Sequence, residues 1–362
     1  MAGPPPEITI PDHLLPADGR FNSGPSKVRP EAVADLAAVG RSLLGTSHRQ
    51  APVKDLVGAV RSGVAELLGI PDGWEVVLGN GGTTAFWDVA TFGLVEARSQ
   101  HTVFGEFSGK FADAVAAAPH LGAPEVIESP PGTCPEPKAS DVDAYALTHN
   151  ETSTGVVAPL QRPEGTEGSA LVLVDATSGA GAIPFDPAEV DVYYFAPQKV
   201  LAADGGLWLA ACSPAAVERI GRLTGGDRWC PASLDLGIAL DNSRKDQTYN
   251  TPALATLVLL DSTLRWLLGN GGLAWAAERC GRSAATLYGW AEDRPWASPF
   301  VVDPARRSPT VGTVDLDDAV PAATVSKVLR AHGVVDIDAY RKLARNQLRV
   351  GMFPAVDPDD VA

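Results

Sequence analysis

Cysteine is scarce in this chain. The four present, Cys134, Cys212, Cys230 and Cys280, are scattered, with no C-x-x-C pair and no cysteine–histidine cluster. That scatter argues against a disulfide framework and against a metal site, and it suits a reducing cytoplasm. Positive charge is also in short supply: 29 Lys and Arg stand against 44 Asp and Glu, a net charge of −15. An acidic surface is repelled by nucleic acid and by anionic membranes, so neither is expected as a partner. No apolar run reaches the ~18 residues of a membrane span. The longest, Ala253 to Leu268, is broken by Asp261 and Arg265. Met1 to Ile10 carries no basic residue ahead of its prolines and does not read as a secretory signal. Neither an internal repeat nor a long low-complexity segment is visible.

What is present is an ordinary globular composition, 45% hydrophobic and 20% charged, in 362 residues. That is enough for one large domain and a smaller one. Pro30 to Gly40 reads as a helix opening on proline, and Val53, Leu56, Val57, Val60, Val64, Leu67 and Leu68 keep helical spacing up to Gly69. Strand-like runs follow at Glu75–Leu78, Thr102–Phe104, Tyr145–Thr148, Leu171–Asp175, Val192–Phe195 and Leu207–Ala210, with helical patterns between several of them. Such alternation predicts an α/β fold with a mostly parallel sheet covered by helices. Thr251-Pro252 opens a long apolar helix that ends at Gly269-Asn270-Gly271-Gly272. Beyond it come another helix, Asp/Pro-rich turns, a helix near Ala322–His332 and a strand-like Gln347–Val350. The expected division is an extended arm at 1–17, a large domain at 18–265 and a smaller α+β domain at 266–362.

Two of the buried-looking strands deliver an ionisable residue to their carboxyl ends, where open α/β sheets build their sites. One run closes on Asp175; the other continues through Ala196-Pro197-Gln198 to Lys199. A lysine past a strand is ordinarily a solvated loop residue, and an aspartate there is often a helix cap. Together, however, they are the two groups that pyridoxal phosphate (PLP) requires, an amine for its aldehyde and a carboxylate for its ring nitrogen. A phosphate cradle strengthens the case. Glu75-Val76-Val77-Leu78-Gly79-Asn80-Gly81-Gly82-Thr83-Thr84 reads as strand, glycine-rich turn and helix start. It lacks the order of a P-loop or a G-x-G-x-x-G fingerprint, which disfavours a nucleotide. Phe107 is a candidate to stack on a cofactor ring and Thr152 to donate a hydroxyl. Arg49, beside His48, is a candidate anion ligand, as is Arg349 within its apolar run.

Taken in order, these segments resemble the phosphoserine aminotransferases, a fold-type I family of class V PLP enzymes. The resemblance rests on Phe21-Asn22-Ser23-Gly24-Pro25, Ser47-His48-Arg49, Gly79–Thr84, Asn150-Glu151-Thr152, Asp175-Ala176-Thr177-Ser178, Ala196-Pro197-Gln198-Lys199, Tyr249-Asn250-Thr251-Pro252 and Leu348-Arg349 with Met352-Phe353-Pro354-Ala355. It implies a large domain built on a mostly parallel seven-stranded sheet. It implies that Lys199 is the Schiff-base lysine and Asp175 the partner of the pyridine nitrogen. Gly82, Thr83, Phe107, Thr152 and Gln198 would surround the cofactor. Asn250 and Thr251 would reach the cofactor phosphate from the other subunit of a homodimer with shared active sites. Ser23, His48, Arg49 and Arg349 would bind the anionic groups of glutamate and 3-phosphohydroxypyruvate. The family includes enzymes acting on phosphohydroxythreonine precursors, and a serine or alanine:glyoxylate aminotransferase is the alternative within class V.

Four departures from the family pattern stand out. Thr83 occupies a position where many members have arginine, and Phe107 one where they have tryptophan, both as in the actinobacterial branch. The His-Arg pair that usually precedes the Arg349 motif is missing; Arg345, in Ala344-Arg345-Asn346, is the nearest substitute. The terminal helix usual in the family is not matched past Ala362.

Overall fold

The structure, a computed structural model, describes residues 8–362; residues 1–7 of the expected arm lie outside the described residues. In the rest of the arm, Asp12–Leu14 form a single 3-10 turn. Helices α1 (Pro30–Leu43) and α2 (Ala51–Leu68) follow, and the stripe Val53, Val57, Val60, Val64 and Leu67 of α2 is buried as its spacing predicts.

The central sheet is built from β1 (Glu75–Asn80), β2 (Ser99–Val103), β3 (Glu125–Glu128) and β4 (Ala144–Thr148). After a two-residue ribbon, β5 (Asn150–Glu151) and β6 (Val156–Val157), it is completed by β7 (Leu171–Asp175), β8 (Val192–Phe195) and β9 (Leu207–Cys212). The seven strands lie in the order β1-β9-β8-β7-β4-β2-β3. Only β9 runs against its neighbours. Every residue of β4, β7, β8 and β9 is buried, because helices cover both faces. The pleat sorts the side chains. Tyr145, Val172, Val174, Tyr193 and Phe195 face α1, α2 and the apolar helix α7 (Leu254–Gly269). Ala146, Leu171, Leu173, Val192 and Tyr194 face α3 (Thr83–Gly93), α4 (Glu106–Ala117), α5 (Pro214–Thr224) and α6 (Leu236–Ser243).

Strand β3 lacks the apolar run of the strands on which the sequence reading relied. It is an edge strand, Glu-Val-Ile-Glu, and its Val126 is exposed. A second sheet of β10 (Ala297–Pro299), β11 (Val311–Leu316) and β12 (Gln347–Gly351) is antiparallel throughout. It packs with α8 (Gly272–Glu292) and α9 (Ala322–Ala331), and the chain ends in the short α10 (Pro358–Val361). The segment from Phe21 to Ser26 ties the two sheets together. Phe21 O accepts from Gly351 N at 2.7 Å, and Ser26 N donates to Gln198 O at 2.7 Å.

Candidate active site

Because β1, β4, β7 and β8 run parallel, their carboxyl ends share one edge of the sheet. Asp175 is the last residue of β7, Thr148 the last of β4, and Lys199 lies just past β8. Beside them, β1 turns through Gly81-Gly82 into α3. The result is a cavity of about 150 Å³ whose walls include Gly82, Thr83, Phe107, Thr152, Asp175, Gln198 and Lys199.

Asp175 is held by three donors. Its Oδ1 accepts from the Thr177 backbone N–H at 3.0 Å and from Thr177 Oγ1 at 2.6 Å, and its Oδ2 from Trp87 Nε1 at 3.2 Å. Burial pushes this carboxyl above its ordinary range, opposed by the Thr177 and Trp87 bonds and by the charge of Lys199. Lys199 is buried too, and its Nζ donates to Thr152 Oγ1 at 2.7 Å. The amine sits 4.9 Å from the centroid of the Phe107 ring. Burial draws its pKa down to about 8, against the pull of Asp175 and Glu151, with Arg349 adding to the fall. Gly24 is needed here: its φ is +145°, and a Cβ would lie 2.7 Å from Lys199 Cε.

The remaining walls are polar. Thr83 Oγ1 and Thr177 Oγ1 share a hydrogen bond of 2.7 Å, and Thr152 Oγ1 donates to Ser178 Oγ at 2.9 Å. Helix α3 begins at Thr83 with no side chain capping it, since Gly82 holds the cap position. An uncapped helix start is a ready anion site. Gln198 Oε1 and Ser23 Oγ are buried with no hydrogen-bond partner. From the second sheet, Arg349 on β12 donates Nη1 to Thr152 O at 3.2 Å and lies over the Tyr340 ring, while its Nε is buried and unpartnered. Burial disfavours its charge, which an anion would restore.

The other expected ligands lie elsewhere. His48 Nδ1 meets Thr251 Oγ1 at 3.1 Å. Arg49 donates to Asn242 Oδ1 at 3.1 Å, to Gln247 Oε1 and to Tyr249 O. These residues and Asn250 form a second cluster outside the Lys199 cavity, with Arg49, Asn250 and Thr251 exposed. Within one chain the structure does not bring His48 and Arg49 to Lys199. Arg345 is also engaged elsewhere, paired with Asp315 and lying over the Phe300 ring. Sequence reading assigned nothing to Trp87, Thr177, Ser178 or Glu151. Trp87 was findable, since it lies four residues after Thr83 on the same helical face.

This fold and this pocket together define the class V aminotransferases. The sequence profile of the family described as Aminotransferase class-V matches residues 137–338. A phosphoserine aminotransferase of Nocardioides sp. is 60% identical over 356 residues, covering 98% of this chain and 95% of that protein. One from Rhodococcus jostii is 59% identical over 354 residues with the same coverage. Among solved structures, a phosphoserine aminotransferase from Cytophaga hutchinsonii superimposes with a TM-score of 0.87 at 23% identity, over 95% of this chain and 96% of that one. The chain belongs to the phosphoserine aminotransferase family, with the fold-type I architecture of PLP enzymes.

Proposed function

We propose that this protein is a PLP-dependent phosphoserine aminotransferase, moving an amino group between glutamate and 3-phosphohydroxypyruvate to give 2-oxoglutarate and O-phospho-L-serine. The observation that carries the reading is the buried Lys199 amine, lowered to about 8, in one cavity with a buried Asp175. The donor set suits PLP. The uncapped start of α3 at Gly82 and Thr83 would take its phosphate, and Thr152 and Gln198, whose Oε1 has no partner, its ring substituents. Phe107 would cover one ring face, Asp175 would meet the ring nitrogen and Lys199 the aldehyde. When bound, PLP supplies an electron sink for the bond broken at the substrate Cα.

The chain's own groups do the rest. A lysine near 8 has an appreciable neutral fraction at physiological pH, so Nζ would serve as the base that takes the proton from the substrate Cα. An ordinary lysine, near ~10.4, would be almost wholly protonated there. Asp175, acceptor of three bonds, is held ready to keep a proton on the ring nitrogen. Arg349 would fork onto the substrate α-carboxylate, and Ser23 Oγ, buried without a partner, would add a donor to it. The cluster of half-buried His48 with exposed Arg49, Asn250 and Thr251 is read as the contribution of each subunit to its partner's site in a homodimer. Tyr249, large, exposed and adjoining Arg49, is offered to the same contact. In this reading residues 18–265 are the cofactor domain and 266–362 the domain that brings Arg349. Cytoplasmic residence belongs to it too, in keeping with four free cysteines.

Three outcomes are expected. On a substrate panel, kcat/KM for 3-phosphohydroxypyruvate should exceed that for glyoxylate by about 100-fold or more, because a site with buried anion ligands rejects a substrate that leaves them unpaired. Equal values would exclude the reading. Arg49→Ala should lower kcat/KM for phosphoserine by roughly 10-fold or more, the worth of a charge-assisted bond, and spare a substrate without a distal anion; equal losses would make Arg49 structural. Finally, borohydride trapping of PLP on Lys199 of the cofactor-free protein should rise with pH about a midpoint near 8, since only the neutral amine attacks. A midpoint near that of free lysine would refute the effect of burial.

A further inference from the structure

Between Asn150 and Thr152 stands a carboxylate to which the reading above gives no contact with cofactor or substrate. Glu151 has no exposed surface, and both of its oxygens are filled by donors. Oε2 accepts from the backbone N–H of Phe107 at 3.1 Å and of Ser108 at 2.8 Å, and from Ser108 Oγ at 2.9 Å. Oε1 accepts from the backbone N–H of Ser153 at 3.1 Å and from Ser153 Oγ at 2.7 Å. Ser153, two residues further on, completes the cap, since its Oγ also accepts from Glu106 N at 3.0 Å. The first three N–H groups of α4 are therefore capped by Glu151 and Ser153, from across the sheet edge, with a negative charge at the positive end of the helix. The approach is so close that a Cβ on Gly105 would lie 2.4 Å from Glu151 Cγ.

This geometry is specific to a carboxylate. Each oxygen faces a backbone N–H, which can only donate, so a glutamine of the same shape would turn its NH2 toward a donor whichever way it was placed. The two neighbours that Glu151 fastens are the two that touch the Lys199 amine. Phe107 N is one of its donors, and the Phe107 ring lies 4.9 Å from Nζ. Thr152, next in the chain, accepts from Nζ at 2.7 Å. We propose that Glu151 is a positioning residue for the cofactor: one buried carboxylate locks Phe107 to the strand end carrying Thr152, so that ring and hydroxyl hold a fixed register about Lys199. This inference rests on the PLP reading above.

A double-substitution cycle tests it with wild type, Glu151→Gln, Phe107→Leu and the pair, each stripped of PLP, checked for folding by circular dichroism and titrated with PLP. The readouts are the apparent dissociation constant, from quenching of tryptophan fluorescence, and the position of the visible absorption band of bound PLP. Glu151→Gln should weaken PLP about 10-fold and move the band, while the same change in the Phe107→Leu background should cost less than about 3-fold, since the positioned ring is already gone. A folded Glu151→Gln protein with unchanged affinity and band overturns the proposal, as does an equal loss in both backgrounds. If Glu151→Gln does not fold, Ser153→Ala, which removes one donor from Oε1 and the acceptor of Glu106 N, takes its place with the same pattern expected at smaller size. Wild-type protein that takes up no PLP overturns the cofactor reading itself, whereas normal wild-type uptake with an indifferent variant removes only Glu151.

Discussion

Lys199→Ala should abolish amino transfer, with turnover falling by about 10⁴-fold or more, while PLP still binds without a covalent link. The size follows from what the proposed function asks of one atom: Nζ would be both the attachment point for the cofactor aldehyde and the base at the substrate Cα, and a positioned base alone contributes roughly 10²–10⁴-fold. Binding should survive because the other groups proposed to hold the cofactor line the same cavity and are independent of the amine: the α3 start at Gly82 and Thr83, the Asp175 carboxylate and the Phe107 ring. Folding should survive as well. The substitution removes an amine that burial already drives toward its neutral form, although Thr152 Oγ1 loses its donor at 2.7 Å. The measurement is a transamination assay with glutamate, paired with gel filtration to detect co-eluting PLP. Transamination at the wild-type rate would end the proposed function.

Asp175→Asn should cost roughly 10³-fold in turnover, because an amide cannot hold a proton on the ring nitrogen and the electron sink weakens. The local geometry sharpens the expectation. Thr177 N–H is a fixed donor to one oxygen and Trp87 Nε1 to the other. An asparagine oriented to satisfy Thr177 would aim its NH2 at the indole N–H, leaving a buried clash of two donors worth about 1–3 kcal/mol. Against that, the substitution removes a charge whose burial is itself unfavourable, so stability should change little while activity collapses. Thermal melts beside rate measurements separate the two effects. A rate within a few-fold of wild type would refute the role of Asp175, and collapse of the fold would make its role structural.

Lys199 and Asp175 were legible because Asp175 ends one strand whose every residue is buried and Lys199 follows another, so the apolar runs themselves pointed at them. Strand β3 was not, because an edge strand with one exposed face and a glutamate at each end makes no apolar run. Trp87 and Glu151 escaped for another reason. Each acts on a partner far along the chain, Asp175 at 88 residues' separation and Ser108 at 43. Their types alone read as core and surface.

The sequence by itself determined the class of fold, the strand ends that carry the ionisable pair, and the family. These depend on periodicity and on local motifs, both written along the chain. Only the tertiary structure decided which of the motifs share a cavity. It placed Arg349 from the second sheet beside Thr152 and left His48 and Arg49 with residues 242–251, outside the Lys199 cavity. It also decided the state of the lysine, since a pKa near 8 arises from burial and from charges on three other elements, none of which any stretch of sequence around residue 199 contains.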